Sequence, residues 1–174
     1  MQLRRAEPTD AIAVARVHVR SWQAAYRGLL PDDYLDQLRP EDRAQAYDFA
    51  TLDPRKPRTI VAIADGLILG FATTLPSRDQ DLASHAELCA LYVDPEHWGC
   101  GFWVALVSAA RDHLHELGFR QVLLWVLVGN ARAERFYQAD RWAPDGAQRT
   151  DTVWGITVDE VRYQRGLDAP SSET

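Results

Sequence analysis

The chain lacks most of the features that would take it out of the ordinary run of folded domains. Two cysteines, Cys89 and Cys100, in 174 residues are too few for a disulfide framework, and a bridge between them is not expected in a reducing compartment. No Cys/His cluster has zinc-ligand spacing, so no metal is expected. The longest unbroken apolar run, Val122 to Val128, is far too short to span a bilayer, which argues against a membrane partner. A net basic balance is absent: 25 acidic residues outnumber 19 basic ones, for a net charge of −6. Nucleic acid is therefore not expected as a partner, because phosphate backbones are bound by basic surfaces. Met1 to Arg5 does not lead into the apolar segment of a secretory leader, so a cytoplasmic location is expected. There is no internal repeat and no low-complexity tract.

What is present is a composition of 47% hydrophobic and 25% charged residues, usual for a globular protein with one core. One domain over residues 1–167 is expected, followed by a loose polar tail over 168–174. Gln2 to Arg5 reads as a short strand. A helix with apolar Ile12, Val14, Ala15, Val17 and Val19 follows, continuing to about Trp22 or Tyr26 and closed by Gly28. Pro31-Asp32-Asp33 starts a short helix, and Pro40-Glu41-Asp42 a third that fades near Asp53-Pro54. Arg58 to Ala64 and Leu67 to Leu75 are strands by their β-branched content, joined by the tight-hairpin pair Asp65-Gly66. Later strands are expected at Leu88 to Val93, at Val122 to Val128 as a central strand covered on both faces, and around Val153 to Val158 and Val161 to Gln164. This succession predicts a mixed α/β domain with helices on both faces of a central sheet.

One stretch organises the rest. Strand Leu88 to Val93 is broken by Asp94-Pro95, a glycine-bearing loop follows, and an amphipathic helix begins near Phe102. A helix starting just after glycines gathers unpaired N–H groups and the positive end of its dipole at one point, where a phosphate can sit without a cationic side chain.

The run Y-V-D-P-E-H-W-G-C-G-F-W from Tyr92 to Trp103, the strand Leu123 to Val128, and N-A-R-A-E-R-F-Y from Asn130 to Tyr137 together resemble the acyl-CoA-binding core of the GNAT superfamily of N-acyltransferases. The resemblance runs from Leu3 to about Arg165. It implies a single-domain GNAT fold with a splayed parallel strand pair, acetyl-CoA as cosubstrate, and acetyl transfer to a primary amine of a small molecule. It further implies that Leu91, Tyr92 and Val93 face the pantetheine arm, and that the loop amides of Trp98, Gly99, Cys100, Gly101, Phe102 and Trp103 hold the pyrophosphate. Asn130 and Arg135 would complete the cofactor site, with Tyr137 as the acid that protonates the departing thiolate. A phenol suits that task because its ordinary pKa, about 10, exceeds that of a thiol, about 8.5.

An ammonium cannot attack a thioester, so a proton acceptor is needed. Glu87 is the candidate base, the alternative being an exposed carboxylate on a strand end; His18 and His85 are weaker candidates. Cys89 reads as a small buried hydrophobe. Trp22, Tyr26 and Tyr34 are candidates for the wall of a substrate pocket, against plain packing of helix on sheet. Exposed strand edges near the C-terminus and six tryptophans are compatible with a homodimer. Two positions depart from the family pattern: Trp103 stands where a small residue lets phosphate approach, and Arg141 where a glycine closes the Tyr137 helix. They imply a modified cofactor site or a binding protein without catalysis.

Overall fold

The computed structural model describes residues 1–167; the tail expected over 168–174 lies outside them. In chain order the elements are β1 (Gln2–Arg5), α1 (Ala11–Ala25), α2 (Asp32–Asp36), α3 (Pro40–Ala44), β2 (Arg58–Ala64), β3 (Leu67–Pro76), β4 (Ala86–Val93), α4 (Phe102–Glu116), β5 (Gln121–Leu127), α5 (Ala131–Ala139), β6 (Ala143–Val153) and β7 (Ile156–Gly166). The strands form one sheet in the order β1-β2-β3-β4-β5-β7-β6, antiparallel except for the β4–β5 pair. Among the described residues no helix is long and apolar enough to cross a membrane.

Helix α4 buries Phe102, Leu106, Val107, Ala110 and Leu114, a stripe at helical spacing that packs on Leu88, Leu91, Val93, Val122, Leu124 and Val126 of β4 and β5. Its approach to β3 depends on Gly70. A Cβ there would stand 2.9 Å from Leu106 Cδ1 and 3.1 Å from the Tyr92 carbonyl oxygen. Helix α1 covers the opposite face, with Val14 and Val17 against Val61 and Phe71, and Trp22 in a second cluster with Leu35 and Val158.

Three expectations need correction. The helix begun at Pro40 ends at Ala44 rather than near Asp53, and beyond it Tyr47 and Phe49 pack against the core from non-helical backbone. Strand β5 is central, but its cover on the face opposite α4 is complete only at Leu123, which is fully buried, and lapses beyond it. Val122, Leu124 and Val126 are buried, Trp125 and Leu127 are only half-buried and border a cavity, and Val128 is exposed. The strand expected across Val153 to Val158 contains the turn of the β6–β7 hairpin, where Trp154 (φ 54°) and Gly155 (φ 79°) are both left-handed, the backbone of a tight mirror-image turn. The expected turn at Asp65 (φ 51°) and Gly66 (φ 77°) is of the same kind.

Candidate active site

The parallel strands part. They pair only at Ala86 with Val122 and Glu87 with Leu123, although β4 continues to Val93 and β5 to Leu127. On its other edge β5 is paired with β7 from Gln121 to Leu127, so the break is confined to one seam. A bulge in β4 accompanies it. The β3 register steps from Thr73 opposite Ala90 to Thr74 opposite Leu88, leaving Cys89 as the extra residue. Alternation then restarts, which puts Ala86, Leu88, Leu91 and Val93 on the α4 face and Glu87, Ala90 and Tyr92 on the α1 face. Cys89 is not the buried hydrophobe expected of it: it is exposed to the cavity, where burial and the nearby Glu87 push its thiol up to about 12.

That cavity, about 670 Å³, runs along the seam and under α1. Leu91, Tyr92 and Val93 all border it. At its mouth stands the start of α4. Gly101 (φ 81°) is the N-cap and its carbonyl accepts the helix's first bond, from Ala105. The amides of Phe102, Trp103 and Val104 therefore have no intrahelical acceptor. Of the loop residues expected at the phosphate, Gly99 and Gly101 have open space on their Cβ side, whereas the Cys100 amide is already bonded to the His97 carbonyl. Trp98 is a brace rather than an open loop residue, its indole N–H donating to the Val93 carbonyl at 2.8 Å. The same oxygen accepts from Ser21 Oγ at 2.9 Å, which ties α1 to the end of β4. Asp94 caps the turn into the loop through the Glu96 amide and pairs with Arg20 at 2.7 Å.

Trp103 turns towards α5. Its ring lies edge-on to Phe136 at 5.0 Å, and the Arg132 guanidinium sits over Trp98 at 3.5 Å and over Trp103 at 4.9 Å. Arg135, the expected cofactor residue, is exposed and does not border the cavity; Arg132, Ala133, Phe136 and Tyr137 do. Helical spacing anchored on Tyr137 would have found this, since 132, 133, 136 and 137 share one face and 135 does not. Asn130 borders the cavity, with its side-chain oxygen capping α5 through the Ala133 amide at 3.2 Å and its amino group left to donate. Tyr137 is half-buried on the same wall. Burial, reinforced by Tyr92 and Asp140, pushes its phenol well above the ordinary value, so it stays protonated at neutral pH.

The α1 side is aromatic. Trp22 and Tyr26 border the cavity as expected; Tyr34 does not. Its hydroxyl instead donates to the Trp154 carbonyl at 2.6 Å, fixing a hairpin tip whose indole does reach the cavity. His18 is buried and stacks on Tyr92 at 4.6 Å. Its Nδ1 faces the Tyr47 hydroxyl at 2.8 Å and the Arg43 Nε–H at 3.2 Å, so that nitrogen must be the acceptor. Burial, and secondarily Arg43, hold its pKa well below the usual range. Glu87 is buried, not exposed on a strand end. Both its oxygens take hydrogen bonds from Arg78, at 3.1 and 2.6 Å. His85 bonds Gln164 and lies outside the cavity. Arg43, Tyr47, Arg78 and Trp154 were not foreseen, because each reaches the cavity from a segment whose placement only the tertiary fold sets.

A sheet split between parallel strands, with a bare helix start at the mouth and a neutral phenol on one wall, is the architecture of an acyl-group transferase that uses a long, phosphate-bearing carrier. Solved structures share the fold. An N-acetyltransferase from Staphylococcus aureus superposes with a TM-score of 0.73 at 18% identity, over 96% of this chain and 98% of that one. The protein yncA of Salmonella typhimurium, solved with acetyl-CoA, does so at 0.70 and 19% identity, over 100% and 98%. Among sequence relatives, the uncharacterized N-acetyltransferase YuaI of Bacillus subtilis is 29% identical over 91% of this chain and 89% of its own length. An uncharacterized N-acetyltransferase of Archaeoglobus fulgidus is 32% identical over 79% and 89%. The model of the Acetyltransferase (GNAT) family matches residues 19–141, and the chain belongs to that family.

Proposed function

We propose that the chain transfers the acetyl group of acetyl-CoA to the primary amine of a small molecule by direct attack, with Tyr137 as general acid. The observation that carries this is the parted β4–β5 seam with the protonated Tyr137 phenol on its wall. The seam's unpaired backbone groups take the amide-bearing arm of the carrier. The free amides of Phe102 and Trp103, with the Arg132 guanidinium beside them, take its phosphates. Arg132, which has no carboxylate within ion-pair distance among the described residues, offsets the loss of a small residue at position 103.

The acceptor ammonium first gives one proton to solvent, through water next to the Glu87 carboxylate. The amine nitrogen then bonds to the thioester carbonyl carbon, the carbon–sulfur bond breaks, and a second proton leaves the nitrogen. The thiolate takes its proton from Tyr137, whose phenol is restored by that second proton. Glu87 acts from within its Arg78 pair, which fixes the carboxylate towards the cavity. Calorimetric titration of acetyl-CoA, beside a thiol-release assay with a panel of amines, tests the proposal. Binding in the micromolar range and amine-dependent thiol release are expected, with Tyr137→Phe losing about 10²- to 10⁴-fold in kcat at nearly unchanged cofactor affinity. An unchanged kcat in the variant rejects Tyr137 as the acid.

A further inference from the structure

The charged side chains bordering the cavity pair off on its inner side, with one exception. Arg78 is held by Glu87, and Arg149 by Glu160 and Asp151. Asp48 and Lys56 are exposed, and Arg132 stands between its two tryptophans at the mouth. Arg43 is different. It lies within the aromatic wall, 4.7 Å from the Trp154 ring and 5.3 Å from the Tyr47 ring, and among the described residues no carboxylate stands within ion-pair distance of it. Its Nε–H is committed to His18, a ring held neutral by burial, so no counter-charge comes from there. A guanidinium cannot shed its proton, and its remaining N–H edge is a planar fork matched to a carboxylate.

We propose that Arg43 binds a carboxylate on the acceptor, so that the substrates are primary amines bearing a carboxylate on an apolar or aromatic body. The body lies among Trp22, Tyr26, Tyr47 and Trp154. Arg43 is half-buried, with the Trp154 and Tyr47 rings beside its guanidinium, and partial removal from solvent strengthens an ion pair made there. Of the acidic groups that also border the cavity, Glu87, Asp151 and Glu160 are each neutralised by a neighbouring arginine, and Asp48 is exposed to solvent, which screens it.

The inference rests on the transferase reading for the amine, and on Arg43 alone for the carboxylate. The test uses wild-type protein with α-amino acids of aromatic and aliphatic side chain, each beside its own carboxamide. Thiol release should favour the free acids by about ten- to a hundredfold in kcat/KM, the range of a charge-assisted hydrogen bond. Arg43→Gln should erase that preference through KM while leaving acetyl-CoA affinity unchanged, and Arg43→Lys should keep part of it. Carboxamides used as well as acids by the wild type, or a preference that survives in Arg43→Gln, overturns the proposal even if the variant is poorly folded. Calorimetry with the same pairs reads the carboxylate site without turnover: acids binding no tighter than carboxamides refute it. Tighter binding of acids without any thiol release refutes the transferase reading and leaves the Arg43 assignment standing.

Discussion

Single residues set the terms at both ends of the cavity. Trp103 stands where the family pattern has a small residue; its ring packs against Phe136 and under Arg132, and the glycines of the loop have open space on their Cβ side. Arg141 does adopt the left-handed backbone its position demands, at φ 65°, with its side chain exposed. Arg141→Gly should therefore stabilise the protein by about 1 kcal/mol, the left-handed penalty less the extra chain entropy of glycine, read as a rise of roughly 2–4 °C in melting temperature. His18 carries a pH signature. Its folded pKa is depressed below the 6.5 of the free side chain, so the unfolded chain binds the proton first. Its contribution to stability is complete above about pH 6.5 and is lost progressively as pH falls below that value. Chemical denaturation between about pH 7 and 5 should show this decline, and His18→Gln should flatten it.

At the scale of elements, Gly70 sets how close α4 lies to the sheet. Gly70→Ala should cost about 1–3 kcal/mol in denaturant unfolding, because the new methyl meets Leu106 and the fixed Tyr92 carbonyl. Much of this layer was legible in the sequence. The stripe of α4 and the Asp65-Gly66 hairpin read directly from period and turn chemistry, and the family motif gave the order of loop, strand and α5. Strand β6 was not legible, since its Asp145, Gly146, Gln148, Arg149, Thr150 and Asp151 resemble a loop; Gln148 to Val153 pair only because β7 is there, and Asp145 and Gly146 lie where the register breaks. The bulge at Cys89 was equally hidden. A run of apolar residues with alanine and cysteine among them has no visible phase, so nothing local says that alternation slips by one. The site was legible in part: Asn130 and Tyr137 of the family motif reached the cavity, while Arg135 of the same motif and Tyr34 outside it did not. Arg43 and Arg78 came from segments distant in sequence, whereas Arg132 lay within the motif itself.

Considered as a whole, the molecule is a sheet whose two blocks, β1 to β4 and β5 to β7, are joined in hydrogen bonding by the short contact at Ala86 and Glu87, with α4 spanning them through the core. Its outer edge at β6 is blunted by an irregular register between Pro144 and Gln148 and by charged Asp145, Arg149 and Asp151, features that oppose pairing with a second copy along that edge. Saturating acetyl-CoA should raise stability by about 2.7 kcal/mol at a hundredfold excess over Kd. Hydrogen exchange should slow at those amides of residues 88–93 and 124–127 that face the seam, where the two strands no longer pair with each other. The seam also has a meaning for the protein's lifetime. A zipper left half-closed is finished by the metabolite it carries, so local opening there is most frequent when the carrier runs short. Proteolytic turnover of the chain should then follow the cell's supply of acetyl-CoA, with the empty form cleared fastest.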